Sequence, residues 1–234
     1  MICHSHRFVF VHIPKTGGSS VEKMLLRECS LDEGAEADAL IIRNRLPWRG
    51  PPWLQHLTSL EYLNHGYVSP QHWKSFYKFS VVRNPWARAV SEYNARGRTR
   101  FMKMFGLAWN FRNFLLLGRS RWFEDNHLRG TDNYRHMIPQ SRFLLDENGQ
   151  LAVDEVVRLE DFSSGGFDVV FRSLGLDRKE LPRSNRSIQR DPKDGARTID
   201  GKRLSYQDYY DDELRDVVAR RYAKDIELLG YTFE

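Results

Sequence analysis

The chain predicts a three-layer α/β domain built around a central, mostly parallel sheet. Three observations carry that reading. Short runs at Phe8–Ile13 (FVFVHI), Lys78–Arg83 (KFSVVR) and Val153–Leu159 (VDEVVRL) have the length and side-chain types of buried parallel strands. Each run leads through a turn into a segment with helical spacing, the alternation that makes a parallel sheet. The length of 234 residues suits one domain, 1–234, whose core needs no disulfides.

Taken in order, Phe8–Ile13 enters the turn Pro-Lys-Thr-Gly-Gly-Ser-Ser at 14–20. A helix follows, in which Val21, Met24, Leu25 and Glu28 recur at helical spacing, with Ser19 or Ser20 as its N-cap. Leu46–Trp53 (LPWRGPPW) is too rich in Pro and Trp for regular structure and is expected to form a loop or lid. Lys78–Arg83 precedes Asn84-Pro85, where Asn caps a helix and Pro takes its first position. Trp86, Val90 and Tyr93 are the buried face of that helix. Residues 97–130 hold many Arg and aromatic residues with weak periodicity. Val153–Leu159 is followed by Glu160-Asp161 and a helix from about Phe167 to Leu174, then by a polar loop over Leu181–Asp194. The tail, Asp208–Leu229, reads as helix, with Leu214, Val217, Val218, Tyr222 and Ile226 in one apolar stripe.

Composition narrows the classes. Hydrophobic residues at 41% and charged residues at 29% exclude a disordered chain. Thirty-six basic residues against 31 acidic ones give a net charge of +5, and 27 of the basic residues are Arg. The Arg fork matches phosphate, sulfate and carboxylate, although a compositional bias of the genome produces the same excess. Two cysteines, Cys3 and Cys29, cannot build a disulfide framework. Cys3, His4 and His6 read as a terminal tail rather than a metal cluster, and no metal is expected. No apolar run approaches the ~20 residues of a membrane span, and the first 15 residues lack a signal-peptide layout. A cytoplasmic location is expected.

The sharpest local signal is His12-Ile-Pro-Lys-Thr-Gly-Gly-Ser-Ser20 between a strand and a helix. Consecutive backbone N–H groups at a helix start form an anion cradle. Gly17 and Gly18 allow close backbone approach, Lys15 adds a point charge, and Thr16, Ser19 and Ser20 add hydroxyl groups. The turn is P-loop-like without being a Walker A loop, in which the Lys follows the second Gly. Here Lys15 precedes both glycines.

HIPKTGGSS resembles the 5′-phosphosulfate-binding motif of the sulfotransferases that use PAPS, 3′-phosphoadenosine 5′-phosphosulfate. It is most similar to the branch of carbohydrate and heparan sulfate 2-O-sulfotransferases and their bacterial relatives. A second segment, Arg83-Asn-Pro-Trp-Ala-Arg88-Ala-Val-Ser91-Glu-Tyr93, resembles the 3′-phosphate motif of the same family, R-N-P-x-x-R-x-x-S-x-Y. Arg83 closes a strand at its carboxyl end, where open α/β sheets bind ligands. Pro139-Gln140, Val156–Glu160, Leu181–Ser187 and Tyr222–Tyr231 resemble later segments of the family, and Arg186 and Ser187 fall in a loop that relatives place near the nucleotide.

The resemblance implies PAPS as sulfuryl donor, PAP as product, no metal, and a hydroxyl acceptor of saccharide type. Sulfuryl transfer is an in-line displacement in which catalysis is mostly positioning and electrostatics. Lys15 is expected to stabilise the bridging oxygen, and the backbone of Thr16, Gly17, Gly18, Ser19 and Ser20 to hold the 5′-phosphate. Arg83 and Ser91 are assigned to the 3′-phosphate. The acceptor hydroxyl needs a base that works near neutral pH, which suits His. His56 resembles the catalytic His of the 2-O branch; His72, Glu61 and Glu92 are alternatives, and His12 is read as structural. The Arg residues from 96 to 129, interleaved with Trp109, Phe111 and Trp122, suit an acidic saccharide, although single-stranded nucleic acid or a plain solvated face fits the same composition; nucleic acid is not the expected partner. Two rival functions stay open: a nucleotide-dependent phosphotransferase, and a non-catalytic module that binds acidic glycan on the same fold.

Overall fold

A computed structural model of the chain describes residues 1–29, 36–95, 110–117, 132–177, 192–193 and 204–234. These residues fall into two compact units: Met1–Arg83 with His127–Ser184, and Asn84–Asn126 with Asn185–Glu234.

The first unit holds a four-stranded sheet of order β1-β2-β3-β4, with β1 at Ile2–Cys3, β2 at Phe8–Val11, β3 at Tyr77–Val82 and β4 at Glu155–Arg158. The pairs β2–β3 and β3–β4 are parallel, in register Phe10↔Phe79 and Val81↔Val157. The sheet is therefore mostly parallel, as the alternation of strands and helices predicts. The short strand β1 is an antiparallel edge, Cys3 opposite Phe8, that the sequence reading does not include. Two residues show no periodicity to read.

Helices α1 (Gly18–Glu28), α2 (Ser59–Asn64), α3 (Pro70–Ser75), α6 (Asn133–Met137), α7 (Ser141–Leu144) and α8 (Asp168–Leu174) belong to this unit. One face of the sheet carries Phe8, Phe10, Phe79, Val81 and Val157 into a core with Val21, Met24 and Leu25 of α1 and Val170, Phe171 and Leu174 of α8. This is the pattern of a parallel strand whose alternate residues meet a covering helix. The Pro/Trp segment makes one 3-10 turn at Pro47–Arg49 and an isolated bridge between Arg43 and Trp53. Trp48 is left 74% exposed.

The second unit contains α4 (Pro85–Ala95), α5 (Phe111–Leu117), α9 (Asp212–Arg221) and α10 (Ala223–Leu229). Asn84 caps α4 as expected, its Oδ1 accepting from Trp86 N at 3.0 Å and Ala87 N at 3.2 Å. Trp86, Val90 and Tyr93 are buried, but so are Arg88, Ser91 and Glu92. Tyr93 sits among Phe111, Phe114 and Tyr209, and the Trp86 indole donates to Arg215 O at 3.0 Å. The tail helix expected over Asp208–Leu229 is broken at Tyr222, whose backbone (φ −113°, ψ 28°) leaves the helical region. The break places Asp225 at 0% exposure, with Ile226 only partly buried. No helix among the described residues is long and apolar enough to cross a membrane.

Candidate active site

The turn after β2 is built from two left-handed residues. Lys15 has φ 70° and Gly17 has φ 87°. A left-handed Lys costs about 1–3 kcal/mol and is retained where surrounding structure imposes it. Gly17 is the N-cap of α1, which starts at Gly18 rather than after Ser19 or Ser20, and no side chain caps it. The first turn of α1 contains no acidic residue. An uncapped helix start of this kind presents outward N–H groups and the positive end of the helix dipole.

Parts of the turn are committed internally. Thr16 is fully buried and its hydroxyl donates to Ile13 O at 2.8 Å. Ser20 N donates to Gly17 O at 2.9 Å, closing the first helical turn. Gly18 has a steric reason: a Cβ there would lie 2.0 Å from Cδ2 of the His12 ring. At Gly17 a Cβ would meet Leu159 Cδ1 at 2.8 Å, in addition to the strain of its φ.

Arg83 directly follows β3 beside this turn, its Nη1 donating to Lys15 O at 3.4 Å. Its backbone is clamped by buried Gln140, which accepts from Arg83 N at 2.9 Å and donates to Arg83 O at 2.8 Å. The Pro139-Gln140 resemblance thus corresponds to a strand-like pairing made by one side chain. Ser91 is buried on α4. Arg186 and Ser187 lie outside the described residues, as do most of 97–130 and of the 181–194 loop. Arg112, inside the described part, is engaged by Asp211 at 3.5 Å and Glu213 at 2.5 Å.

His56 lies in the 3-10 turn Leu54–His56 and is buried. Its ring meets that of His12 edge to face, centroids 4.9 Å apart, and that of His136 at 5.4 Å. His56 Nδ1 is hydrogen-bonded to Asp132 Oδ2, and Arg135 Nη1 donates to His56 O at 2.8 Å. Asp132 stands at the N-cap of α6 without capping it, so its carboxylate is turned to His56 instead. His136 Nε2 lies 3.6 Å from the same Asp132 oxygen. The other oxygen, Asp132 Oδ1, is buried with no hydrogen-bond partner among the described residues.

Electrostatics define the protonation of this group. Burial dominates at His56 and pushes it down to about 4, despite the raising effect of Asp132; His12 and His136 lower it further. Burial also opposes ionisation of Asp132, but the adjoining imidazoles of His136 and His56 outweigh it and bring the carboxyl to about 2. At neutral pH His56 is therefore neutral beside a carboxylate. The ring nitrogen facing a carboxylate carries the proton, so Nδ1–H donates to Asp132 and Nε2 keeps its lone pair, with the Gln55 side-chain nitrogen 3.5 Å away. An acid–base ionisation near neutral pH, as expected of an unperturbed His, is displaced to the acid side by burial.

His12 is held in a parallel way. Its Nδ1 lies 2.9 Å from Glu22 Oε1, and both residues are buried. Burial works against the Glu22 charge, but His12 outweighs it and holds the carboxyl below its usual range.

The other candidate bases are engaged elsewhere. Glu61 closes the capping box of α2 with Thr58 and takes two bonds from Arg135, at 2.7 and 2.5 Å. Burial resists its ionisation, yet Arg135 prevails and its carboxyl is held below the ordinary range. His72 is exposed on α3 and stacks on Phe76 at 4.9 Å. Glu92 is 2% exposed on α4. The residues missed by sequence reasoning are Asp132, His136 and Glu22. Asp132 and His136 stand four apart, the spacing that shares one helix face, and Glu22 adjoins the apolar stripe of α1.

A family model described as the sulfotransferase family matches residues 1–232. No curated protein and no solved structure shows significant similarity to the chain. The match spans the P-loop-like turn, the mostly parallel sheet and Arg83 after β3, and the chain belongs to the sulfotransferase family.

Proposed function

We propose that this chain, as a single sulfotransferase domain over 1–234, moves the sulfuryl group of PAPS to a hydroxyl of a saccharide, with His56 as the base. Family membership supports sulfuryl transfer to a hydroxyl-bearing acceptor. The observation that carries the finer reading is the pairing of an uncapped helix start with a neutral, carboxylate-oriented imidazole in one compact unit.

The start of α1 and the backbone of Thr16–Ser20 receive the 5′-phosphosulfate, in keeping with anion binding at helix N-termini. Lys15 neutralises the bridging oxygen as the leaving PAP gains charge. His56 Nε2 takes the proton of the acceptor hydroxyl while its oxygen attacks sulfur in line, and Asp132 holds the imidazolium that results. The sulfur–oxygen bond to PAP breaks as the bond to the acceptor oxygen forms, so no metal is required by the balance of the step. Arg83 and Ser91 hold the 3′-phosphate according to their motif, joined by Arg186 and Ser187. The Arg excess supports an acidic saccharide over a neutral one.

The deciding experiment supplies PAPS with panels of acidic saccharides, neutral saccharides and phenols, and measures PAP release and product mass. Saccharide-dependent PAP release carrying a sulfated product is expected. In Lys15→Ala turnover falls by more than ~100-fold, the scale of one lost electrostatic contact, with a much smaller loss of PAP affinity. Transfer confined to phenols would overturn the acceptor assignment, and near-normal turnover of Lys15→Ala would remove that residue from the mechanism.

A further inference from the structure

Away from the turn, the first unit gathers both cysteines of the chain. Cys3 lies at the end of β1 and Cys29 at the C-cap of α1, and both thiols are buried. His6 stands on the tight turn between β1 and β2, where Arg7 takes φ 52°. Cys3 Sγ is 3.6 Å from His6 Nδ1, and the donor atoms of Cys3, His6 and Cys29 all lie within 4.8 Å of one another.

We propose that Cys3, His6 and Cys29 form a structural binding site for a zinc-class divalent cation, tying the β1–β2 hairpin to the C-terminal end of α1. The Cys3–His6 edge has the length of a tetrahedral site, and Cys29 lies within reach of both. With Zn–S about 2.3 Å and Zn–N about 2.0–2.1 Å, an S···N edge is about 3.6 Å and an S···S edge about 3.8 Å. The Cys3–His6 separation already equals such an edge. Ser5 Oγ lies 3.3 Å from Cys3 Sγ and 3.1 Å from His6 Nδ1, on the exposed side. The donor set of two soft thiolates and an imidazole selects zinc over magnesium or calcium. The last carbonyls of α1 add partial negative charge beside the cation.

Binding takes both sulfurs as thiolates and a ring lone pair of His6, and any thiol proton displaced goes to solvent. The sequence obscures this site because its obvious cluster is Cys3, His4 and His6. In the fold His4 packs against His72 and Phe76, and Cys29 takes its place. The site is independent of the transfer reaction.

The test is an anaerobic titration of the reduced, metal-free full chain with Co²⁺, followed by Zn²⁺ displacement. One equivalent of cobalt is expected to give thiolate-to-metal charge-transfer bands in the near ultraviolet and intense tetrahedral bands in the visible. Those bands distinguish it from His56, Asp132 and His136, which also group closely but offer only nitrogen and oxygen. The bands persist in His56→Ala and vanish in Cys3→Ser with Cys29→Ser. His6 is only partly buried, so His6→Ala retains the fold; its cobalt affinity drops beyond the ~10–100-fold typical of an outer-shell loss. Zinc raises the unfolding temperature of the parent chain and not that of His6→Ala. Absence of thiolate bands in the parent, their survival in the double Ser variant, or a Cys3–Cys29 disulfide with no cobalt uptake would overturn the proposal.

Discussion

The imidazoles of His12 and His56 meet edge to face with their centroids 4.9 Å apart, and the Nδ1 of each faces a buried carboxylate, Glu22 or Asp132. His12 begins the P-loop-like turn, so this contact joins the turn assigned to the 5′-phosphosulfate to the group assigned as base. A buried network of this kind is favourable only when its members are satisfied. Changes at either end are therefore expected to be felt at the other.

Asp132→Asn tests the orientation of His56. The amide offers both a donor and an acceptor where a carboxylate only accepts, and the ring no longer has one favoured tautomer. Turnover should drop by about 10²-fold or more, the range of a lost general base, with PAP affinity close to that of the parent. His136→Ala should cost less, because its 3.6 Å approach to Asp132 is an electrostatic contact rather than a hydrogen bond. Equal activity of Asp132→Asn and the parent would separate Asp132 from the base.

The pH dependence follows from burial. His56 is depressed to about 4 from the usual 6.5. The active, neutral form is then present throughout the neutral range, and kcat falls only as pH drops through about 4. Stability has the same sign. Between 6.5 and about 4 the unfolded chain binds a proton that the folded chain does not, so the contribution is fully present above 6.5 and is lost as pH falls through about 4. The slope is about 1.4 kcal/mol per pH unit per proton, which sets a total on the order of 3 kcal/mol. Urea midpoints at pH 7 and pH 5 should differ in the parent and much less in His56→Gln. A kcat limb near pH 6.5 would show that His56 is not held as its burial requires.

Gly18→Ala tests the steric link. The added Cβ would lie 2.0 Å from the His12 ring, so the ring or the helix start must move. Overpacking of this type costs about 1–3 kcal/mol. The displaced ring also disturbs His56, so turnover should fall along with stability. Ser19→Ala, one residue along, should leave the urea midpoint nearly unchanged. An unchanged midpoint in Gly18→Ala would mean that His12 swings aside freely.

The residues that sequence reasoning recovers are those whose signal is local. FVFVHI, KFSVVR and the Asn84-Pro85 start are each legible because strand length, side-chain type and capping act within a few residues. The start of α1 is misplaced by two or three residues because Gly17 enters the left-handed region and takes the cap in place of Ser19 or Ser20. Asp132 is illegible as the partner of His56: 76 positions separate them, and only the tertiary fold turns an uncapping Asp toward the ring. The same is true of Gln140, whose role depends on a strand end 57 residues away.

The final prediction concerns the nucleotide and asks which phosphate Arg83 serves. Its motif assigns it, with Ser91, to the 3′-phosphate. Its guanidinium donates to Lys15 O, which keeps it beside the turn assigned to the 5′-phosphate. A charge-assisted contact is worth about 1.5–3 kcal/mol, so two of them discriminate by ~100-fold or more, at about 1.4 kcal/mol per tenfold. PAP should bind the parent at least that much more tightly than AMP. In Arg83→Ala with Ser91→Ala the preference should largely collapse, by weakening PAP and sparing AMP. Gln140→Ala frees the Arg83 backbone from its clamp and should weaken PAP in the same direction by about tenfold. That loss should not add to the loss in Arg83→Ala, because both act through one side chain. Calorimetric titration of each variant with both nucleotides reads all of these terms. Equal weakening of PAP and AMP in Arg83→Ala would transfer Arg83 to the 5′-phosphate, and equal affinity of the parent for the two nucleotides would remove the 3′-phosphate site altogether.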